Sequence, residues 1–436
     1  MPMHMAGTEL YTHTLALAQR QAGYEVSVLV PHFDYYRPGQ FKARYLYEGM
    51  DVYQYFEPSS PDDKDIIFGR KPAEGIKNFS DSLVALQPDV VHFQELTRGI
   101  GPGLEHVKAA KQLGATVFLT MHLSGYTCNT NTLIRNGRLC EGRIAEFDCT
   151  VCSFKTLFNM PPIAAVPAAL MGILSVNTGL ARKLPSGKMT TLLSMPATIR
   201  RIRENLVNLA NHADQLISLT EWYKKILLEN GIAPEKITVI PQRLAIDRGA
   251  SVKRKPAITA LPIKIIFIGR VQPQKGVDLL IEAAKSFPAE KLAVDIYGIE
   301  EDTDYYRQCR AATAGSNTRL MGPLERDEVL TTLGEYDMLC LPSTFSEMSP
   351  LVIQEAFAAG IPVLASRVLG NAEQIKHGVN GLLFTFKSVD DLRVQLNRVI
   401  TEPALVDKMK SRINPPGTFS ETAMQYGELI KTFHPE

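Results

Sequence analysis

The chain has almost no excess of either charge. Its 47 Lys and Arg stand against 46 Asp and Glu, which gives a net charge of +1 and a pI of about 7.6. That balance removes any global electrostatic case for nucleic acid as a partner. Cysteine is scarce: six among 436 residues are too few for a disulfide scaffold, although four of them cluster. The opening Met1-Pro-Met-His-Met5 lacks the basic start and apolar run of a signal peptide. A cytoplasmic protein is therefore expected. There is no internal repeat and no low-complexity tract. What is present is apolar content of 45% over a length that suits two domains of about 200 residues, each with its own core.

The most informative stretch is Phe345-Ser-Glu-Met-Ser-Pro-Leu-Val-Ile-Gln-Glu-Ala-Phe-Ala-Ala-Gly360. Met338–Leu341 before it and Pro362–Ser366 after it are apolar runs of strand type, and Leu351–Ala359 between them reads as a helix that starts beside Pro350. Strand, loop, helix, strand is the repeating unit of a parallel α/β sheet. Glu347 falls in the loop at the strand's C-terminal end, and Glu355 about one turn into the helix. Ligands of open α/β sheets bind at that edge. The amides of Ser349 and Leu351 belong to a helix start that favours an anion.

A second motif precedes it, Ile265-Ile-Phe-Ile-Gly-Arg-Val-Gln-Pro-Gln-Lys-Gly-Val-Asp278. A strand runs into Gly269 and Arg270, then Lys275 and Gly276, then a helix from Val277. Arginine binds phosphate oxygens with a fixed fork, and lysine supplies a mobile point charge. Two cations and two carboxylates at one sheet edge suit a nucleotide bearing a sugar. The cations take the pyrophosphate and the carboxylates take hydroxyls.

The Gly-Arg-x4-Lys-Gly loop followed by Glu-x7-Glu resembles the donor-binding half of retaining glycosyltransferases of the GT-B fold, family 4 (glycosyl transferases group 1), over roughly residues 262–400. The resemblance implies an α/β protein with two Rossmann-like parallel-sheet domains facing each other across a cleft. It assigns Arg270 and Lys275 to the pyrophosphate, Glu347 to the donor sugar, Glu355 to the ribose, and the loop Met321-Gly-Pro-Leu324 to the base. Gly269, Met348, Ser349 and Leu351 complete the donor side. It implies no catalytic metal, and no Asp-x-Asp motif suited to Mg²⁺ is seen.

The N-terminal half shows the same alternation more weakly. Leu10–Ala22 and Gly103–Leu113 read as helices, and Ile66–Leu86 as broadly helical. Glu25–Val30, Val52–Phe56, Asp89–Phe93 and Thr116–Met121 read as strands, which predicts one parallel sheet. Ala6-Gly7 corresponds to the family's glycine pair, so Gly7 could bring its N–H to the donor. Only Met1 to Met5 precede it, too few for the buried first strand that the family has there, so that strand is expected to be missing. His122, at the end of a strand, matches a family histidine beside the donor sugar. Pro241-Gln242-Arg243 departs from the family's Pro-Asn-Gly turn.

Cys128, Cys140, Cys149 and Cys152 fall within 25 residues, the last two as Cys-x-x-Cys. Structural zinc held by four thiolates fits, with free thiols, an iron–sulfur cluster or disulfides as alternatives. Next, Thr156–Ala181 holds no charged residue, and Arg182, Lys183, Lys188, Arg200, Arg201 and Arg203 follow. Prolines 161, 162 and 167 argue against a spanning helix. An apolar stretch with a basic flank can lie on an anionic membrane at its inner face; it equally suits an apolar lid inside the domain.

The expected layout is an acceptor domain over 1–247 with an insertion at about 123–205, a linker over 248–262, a nucleotide-sugar domain over 263–415, and a terminal helix over 416–436 crossing back to the first domain. The expected activity is transfer of a sugar from a nucleotide-diphosphate sugar to a glycan or lipid-linked acceptor. The alternatives are a nucleotide-sugar epimerase of the same fold and a non-catalytic sugar-nucleotide or glycan binder.

Overall fold

Thirteen strands matter for the site. In chain order they are β1 (Ser27–His32), β2 (Arg44–Tyr47), β3 (Met50–Phe56), β4 (Val90–Gln94), β5 (Thr116–Met121), β6 (Gln215–Ser218) and β7 (Ile237–Val239), then β8 (Ile263–Ile268), β9 (Leu292–Tyr297), β10 (Thr318–Gly322), β11 (Met338–Leu341), β12 (Val363–Ser366) and β13 (Gly381–Phe384). The computed structural model describes residues 7–435 apart from 61, 64–65, 67–70, 98–100, 181–186, 245–259 and 302. The chain divides into two units. One takes residues 1–136, 140–241 and 420–436, and the other 137–139 and 242–419.

In the second unit β8 to β13 form one parallel sheet, in the order β10-β9-β8-β11-β12-β13. Every residue of β11, β12 and β13 is buried, as expected of short apolar runs covered by helices on both faces. β8 and β11 are neighbours, pairing Ile265 with Met338 and Ile266 with Leu339. The strand order reverses between them, which makes this the sheet's topological switch point. The two motifs picked out in the sequence leave the sheet at these two adjacent strand ends. The expected strands 263–268, 292–297 and 338–341 carry the same bounds in the structure, and the linker expected at 248–262 lies mostly outside the described residues.

The first unit differs from the single parallel sheet expected. β4-β5-β6-β7 form one parallel sheet, while β1, β3 and β2 form another in that order, with β2 antiparallel to β3. The cause is a two-residue turn between Tyr47 and Met50, where Glu48 and Gly49 have φ of 48° and 76°. Two successive positive φ angles suit a type I′ hairpin, which sends the chain straight back. Among the described residues no strand joins β1 to β4. Met1 to Met5, on which the expectation of a missing first strand turned, lie outside the described residues.

Two helical expectations also change. Of the stretch foreseen as broadly helical over Ile66–Leu86, Ile76–Leu86 is a helix and residues 71–75, which hold Pro72 and Gly75, are not; residues 67–70 lie outside the described residues. The apolar stretch foreseen as a loop or lid is a helix, Pro162–Asn177, with Pro162 in its first turn and Pro167 inside. It packs between Glu146–Leu157 and a long helix, Lys188–His212. The C-terminal helix Phe419–Phe433 docks its Tyr426 in the first unit, where the Tyr426 hydroxyl meets those of Tyr11 at 2.8 Å and Thr120 at 2.9 Å.

Candidate active site

The site grows from the loops that follow β8 and β11. After β8 the chain passes Gly269 and the exposed Arg270, makes a single 3-10 turn at Pro273–Lys275, and enters the helix Val277–Ala284 through Gly276. Gly276 has φ 66°, and a Cβ there would stand 2.1 Å from the Pro342 carbonyl oxygen. Only glycine allows the two loops to come this close. They are also stitched by hydrogen bonds. The Thr344 amide donates to the Gln274 carbonyl at 2.7 Å, and the Thr344 hydroxyl to the Pro273 carbonyl at 2.8 Å.

This closeness brings Lys275 and Glu347 together. The Lys275 ammonium lies 2.6 Å from Glu347 Oε1, and the Ser343 hydroxyl donates to the same oxygen at 2.8 Å. Glu347 is buried, at 7% exposure. A carboxylate removed from water needs such partners to stay charged. The support continues inward. The Ser366 hydroxyl donates to the Ser343 carbonyl at 2.7 Å, and Asn371 Nδ2 donates to the Ser366 carbonyl at 3.0 Å. Ser343, Ser366 and Asn371 are all fully buried. Gly370 closes the arrangement, since a Cβ there would meet the Glu347 carbonyl oxygen at 2.1 Å.

Glu355 sits on the helix Leu351–Ala358, which has Pro350 at its N-cap and no side-chain cap for its first amides. Those amides, Leu351's among them, favour an anion; Ser349 lies just before the cap. Arg326 Nη1 lies 2.7 Å from Glu355 Oε1. Burial pushes the Glu355 carboxyl above its ordinary value, and the Arg326 guanidinium works against that rise. Met321, exposed near the C-terminal end of β10, and Leu324, just after that strand, border the same edge. Thus Gly269, Arg270, Lys275, Leu324, Glu347, Met348 and Ser349 fall in loops, Leu351 at a helix start, Glu355 one turn further in, and Met321 at a strand end, all following the strands of the second unit's sheet.

Sequence reasoning missed Arg326, Ser343, Ser366, Gly370 and Asn371. Arg326, Ser366 and Gly370 act across 20 or more residues of chain, Asn371 acts only through Ser366, and Ser343, four residues before Glu347, is an ordinary loop serine by type. One Asp-x-Asp does occur, at 302–304; Asp302 is outside the described residues, and Asp304 opens an outer helix and pairs with Arg307.

In the first unit His122 follows β5. Its Nε2–H donates to Gln94 Oε1 at 3.1 Å, and Tyr11 presents an edge-to-face ring at 4.9 Å. Burial pushes His122 down to about 4, so the ring is neutral near pH 7. Glu95, also unforeseen, holds this corner. It has φ 92°, and its Oε2 accepts the amides of His122 at 2.8 Å and Leu123 at 3.0 Å. Burial pushes Glu95 up to about 7. His92, read as structural, bonds Thr120 Oγ1 at 2.7 Å. Gly7 is exposed in the first turn of the helix Gly7–Gln21, with nothing within 4 Å of where a Cβ would stand.

Cys128, Cys140, Cys149 and Cys152 are partly buried and form no disulfide. Burial, and then the neighbouring thiols of Cys140, Cys128 and Cys152, push Cys149 up to about 11. Among the described residues, no three His, Cys, Asp or Glu stand close enough together to hold a metal ion.

The whole fold resembles that of sucrose-phosphate synthase from Thermosynechococcus elongatus, with a TM-score of 0.62 at 14% identity over 98% of this chain and 94% of that one. It also resembles Anabaena Alr3699/HepE in complex with UDP-glucose, with a TM-score of 0.60 at 16% identity over 98% and 97%. The fold class is GT-B, built from two parallel-sheet α/β domains. Residues 251–414 match the family model for Glycosyl transferases group 1, so the chain carries a domain of that kind. Among curated proteins it is similar to a D-inositol 3-phosphate glycosyltransferase of Kribbella flavida, 28% identical over 215 residues, which are 45% of this chain and 50% of the relative. It is also similar to a glycogen synthase of Mycobacterium tuberculosis, 28% identical over 207 residues, 46% and 49% of the two chains. The chain spans about half the length of these curated relatives.

Proposed function

We propose that the protein transfers a sugar from a nucleotide-diphosphate sugar to a glycan or lipid-linked acceptor, with retention of anomeric configuration. The observation that carries this reading is the Lys275–Glu347 pair at the switch point. A cation for a pyrophosphate and a carboxylate for a sugar stand there as immediate neighbours. Without donor they satisfy each other. With donor bound, the Lys275 ammonium turns to the phosphate and Glu347 accepts hydrogen bonds from the sugar. Arg270, exposed beside them, and the amides at Ser349 and Leu351 stabilise the negative charge that grows as the nucleoside diphosphate leaves. Glu355 takes the ribose hydroxyls, and Arg326 moves aside or joins the phosphates. The leaving phosphate oxygen accepts the acceptor's proton, so no separate protein base is required.

The HepE structure is a complex with UDP-glucose, which makes that compound the first donor to try. The deciding experiment is calorimetric binding of UDP-, GDP- and ADP-sugars, followed by assay of nucleoside diphosphate release. Binding of one donor that Lys275→Ala weakens and Glu347→Ala leaves bound but unreactive supports the reading. Interconversion of donor sugars without an acceptor would replace it with an epimerase.

A further inference from the structure

The helix Pro162–Asn177 is built inside out. Its buried residues are the small ones, Ala165, Ala169, Gly172 and Ser175. Its exposed side carries Ile163 at 86%, Val166 at 41%, Leu170 at 57%, Met171 at 59% and Leu174 at 65% exposure. These positions recur at the three- and four-residue spacing of one helical face. A helix stabilised by an aqueous protein core puts its large apolar side chains inward, because each contributes about 1.5–3 kcal/mol when removed from water. Here small residues serve close helix contact instead. A Cβ on Gly172 would lie 3.1 Å from Pro196 Cγ of the neighbouring helix. The lid alternative, in which this stretch packs inside its domain, does not hold: the large side chains face outward.

The surroundings extend the pattern. Leu157, Phe158, Leu180 and Met189 flank the helix in the chain and are exposed as well. From residue 149 to 203 the sequence holds seven Lys and Arg and no Asp or Glu, while the rest of the chain has forty cations against forty-six anions. Some of these cations are engaged within the fold, as Arg200 is by Glu146 at 2.6 Å, but Lys188 and Arg203 are exposed. An apolar face inside a cationic segment matches a surface that is apolar within and anionic at its rim.

We propose that the outer face of the helix Pro162–Asn177 docks on an anionic lipid bilayer, with the helix lying in the plane of the interface. Spanning is excluded by length: 16 residues reach about 24 Å, short of the roughly 30 Å hydrocarbon core. No described helix is long and apolar enough to cross. Pro167 also leaves the Ile163 carbonyl without its helical donor, which an interface can hydrate and a hydrocarbon core cannot. The docking does not depend on the donor site, so the two readings can fail separately.

The test is co-sedimentation of the full chain with vesicles of phosphatidylcholine alone and of phosphatidylcholine with phosphatidylglycerol. The wild type should pellet with the anionic vesicles, less so with neutral ones, and less at high salt. The triple variant Ile163→Ser, Leu170→Ser, Leu174→Ser should lose at least tenfold in partitioning. Since all three side chains are exposed, thermal unfolding should be nearly unchanged. In a second variant, Leu170→Trp, indole fluorescence should shift to the blue on anionic vesicles, above the constant signal of buried Trp222. Wild type that stays in solution with both vesicle types overturns the proposal, as does a triple variant that still pellets. So does a wild type that is dimeric and binds no vesicles, with a monomeric triple variant; the face would then join two copies of the chain.

Discussion

The Lys275 ammonium and the Glu347 carboxylate lie 2.6 Å apart although 72 residues separate them in the chain. Each is the natural partner of a different part of a sugar nucleotide, and each is the other's counter-charge in its absence. On the proposed function, donor binding exchanges this ion pair for contacts to phosphate and sugar. Breaking one partner of a buried pair leaves the other uncompensated, so Lys275→Ala should weaken donor binding and also lower the melting temperature. Glu347→Gln keeps the shape and a hydrogen-bonding oxygen but removes the charge. It should lower the transfer rate by about 10²–10³-fold, the range for losing one transition-state electrostatic partner, with little change in donor affinity. Turnover and calorimetric binding of the two variants separate these roles.

Ser343 supports Glu347 without reaching the donor. Its hydroxyl is buried and donates at 2.8 Å. Ser343→Ala removes one donor from a buried carboxylate and should cost about 1–3 kcal/mol of stability. Urea unfolding measures that loss. A smaller fall in turnover than that of Glu347→Gln should accompany it.

Gly370 admits no side chain, because a Cβ would press on the carbonyl oxygens of Glu347 at 2.1 Å and Met348 at 2.6 Å. These are backbone atoms, so relief requires moving the loop. Gly370→Ala should lower both stability, by about 1–3 kcal/mol as in other overpacked sites, and turnover. An unchanged melting temperature would mean that the loop shifts freely.

Arg326 holds down a carboxyl that burial pushes up. In Arg326→Ala that opposing influence disappears, and Glu355 should keep its proton to a higher pH. Ribose recognition by a carboxylate is lost as pH falls through its value in the folded protein. The pH dependence of donor binding should thus move to higher pH in the variant, with wild-type affinity approached again at the alkaline end. Calorimetric titration across pH reads the displacement directly.

Glu95 makes a signed prediction about stability. Its carboxyl is pushed from an ordinary 4.5 up to about 7, so between those values the folded chain holds more proton than the unfolded one. Stability from this group therefore falls as pH rises through that window. His122, pushed down to about 4 from 6.5, acts in the opposite sense, its stability rising with pH over that interval. The two partly cancel in the wild type. Relative to Glu95→Gln, the wild type should lose stability between about pH 5 and pH 8, as urea midpoints at the two ends will show.

Much of the second unit could be read directly from the sequence. Its strands β11, β12 and β13 are short, apolar and buried throughout, so composition and position coincide there. The two loops at the switch point were legible because glycine, arginine, lysine and glutamate follow strand ends at fixed short spacings. Arg326 was not legible because it meets Glu355 across 29 residues of chain, and Ser366 and Asn371 were not because they support Ser343 from a distant segment; Ser343, only four residues before Glu347, was passed over as an ordinary loop serine. Glu95 was hidden for another reason. Its part depends on a φ of 92° and on amides 27 and 28 residues away. The hairpin at Glu48-Gly49 did carry a weak signal, a glycine in a two-residue turn, but without the more usual Asn or Asp before it.

The apolar stretch 156–181 shows where sequence reading stops. Its lack of charge and the basic residues after it marked it as unusual, and the prolines argued against a span. Whether its large side chains faced a core or the solvent depended on which neighbours it packed against. Gly172 and Pro196 settle that by bringing two helices close enough that only Ala165, Ala169, Gly172 and Ser175 fit between them. By itself, then, the sequence determined the parallel sheet of the second unit and the chemistry offered at its edge, because those follow from local pattern. The tertiary structure alone decided the pairing of Lys275 with Glu347, the support behind it, and the outward face of Pro162–Asn177, because each depends on contacts between residues far apart in the chain.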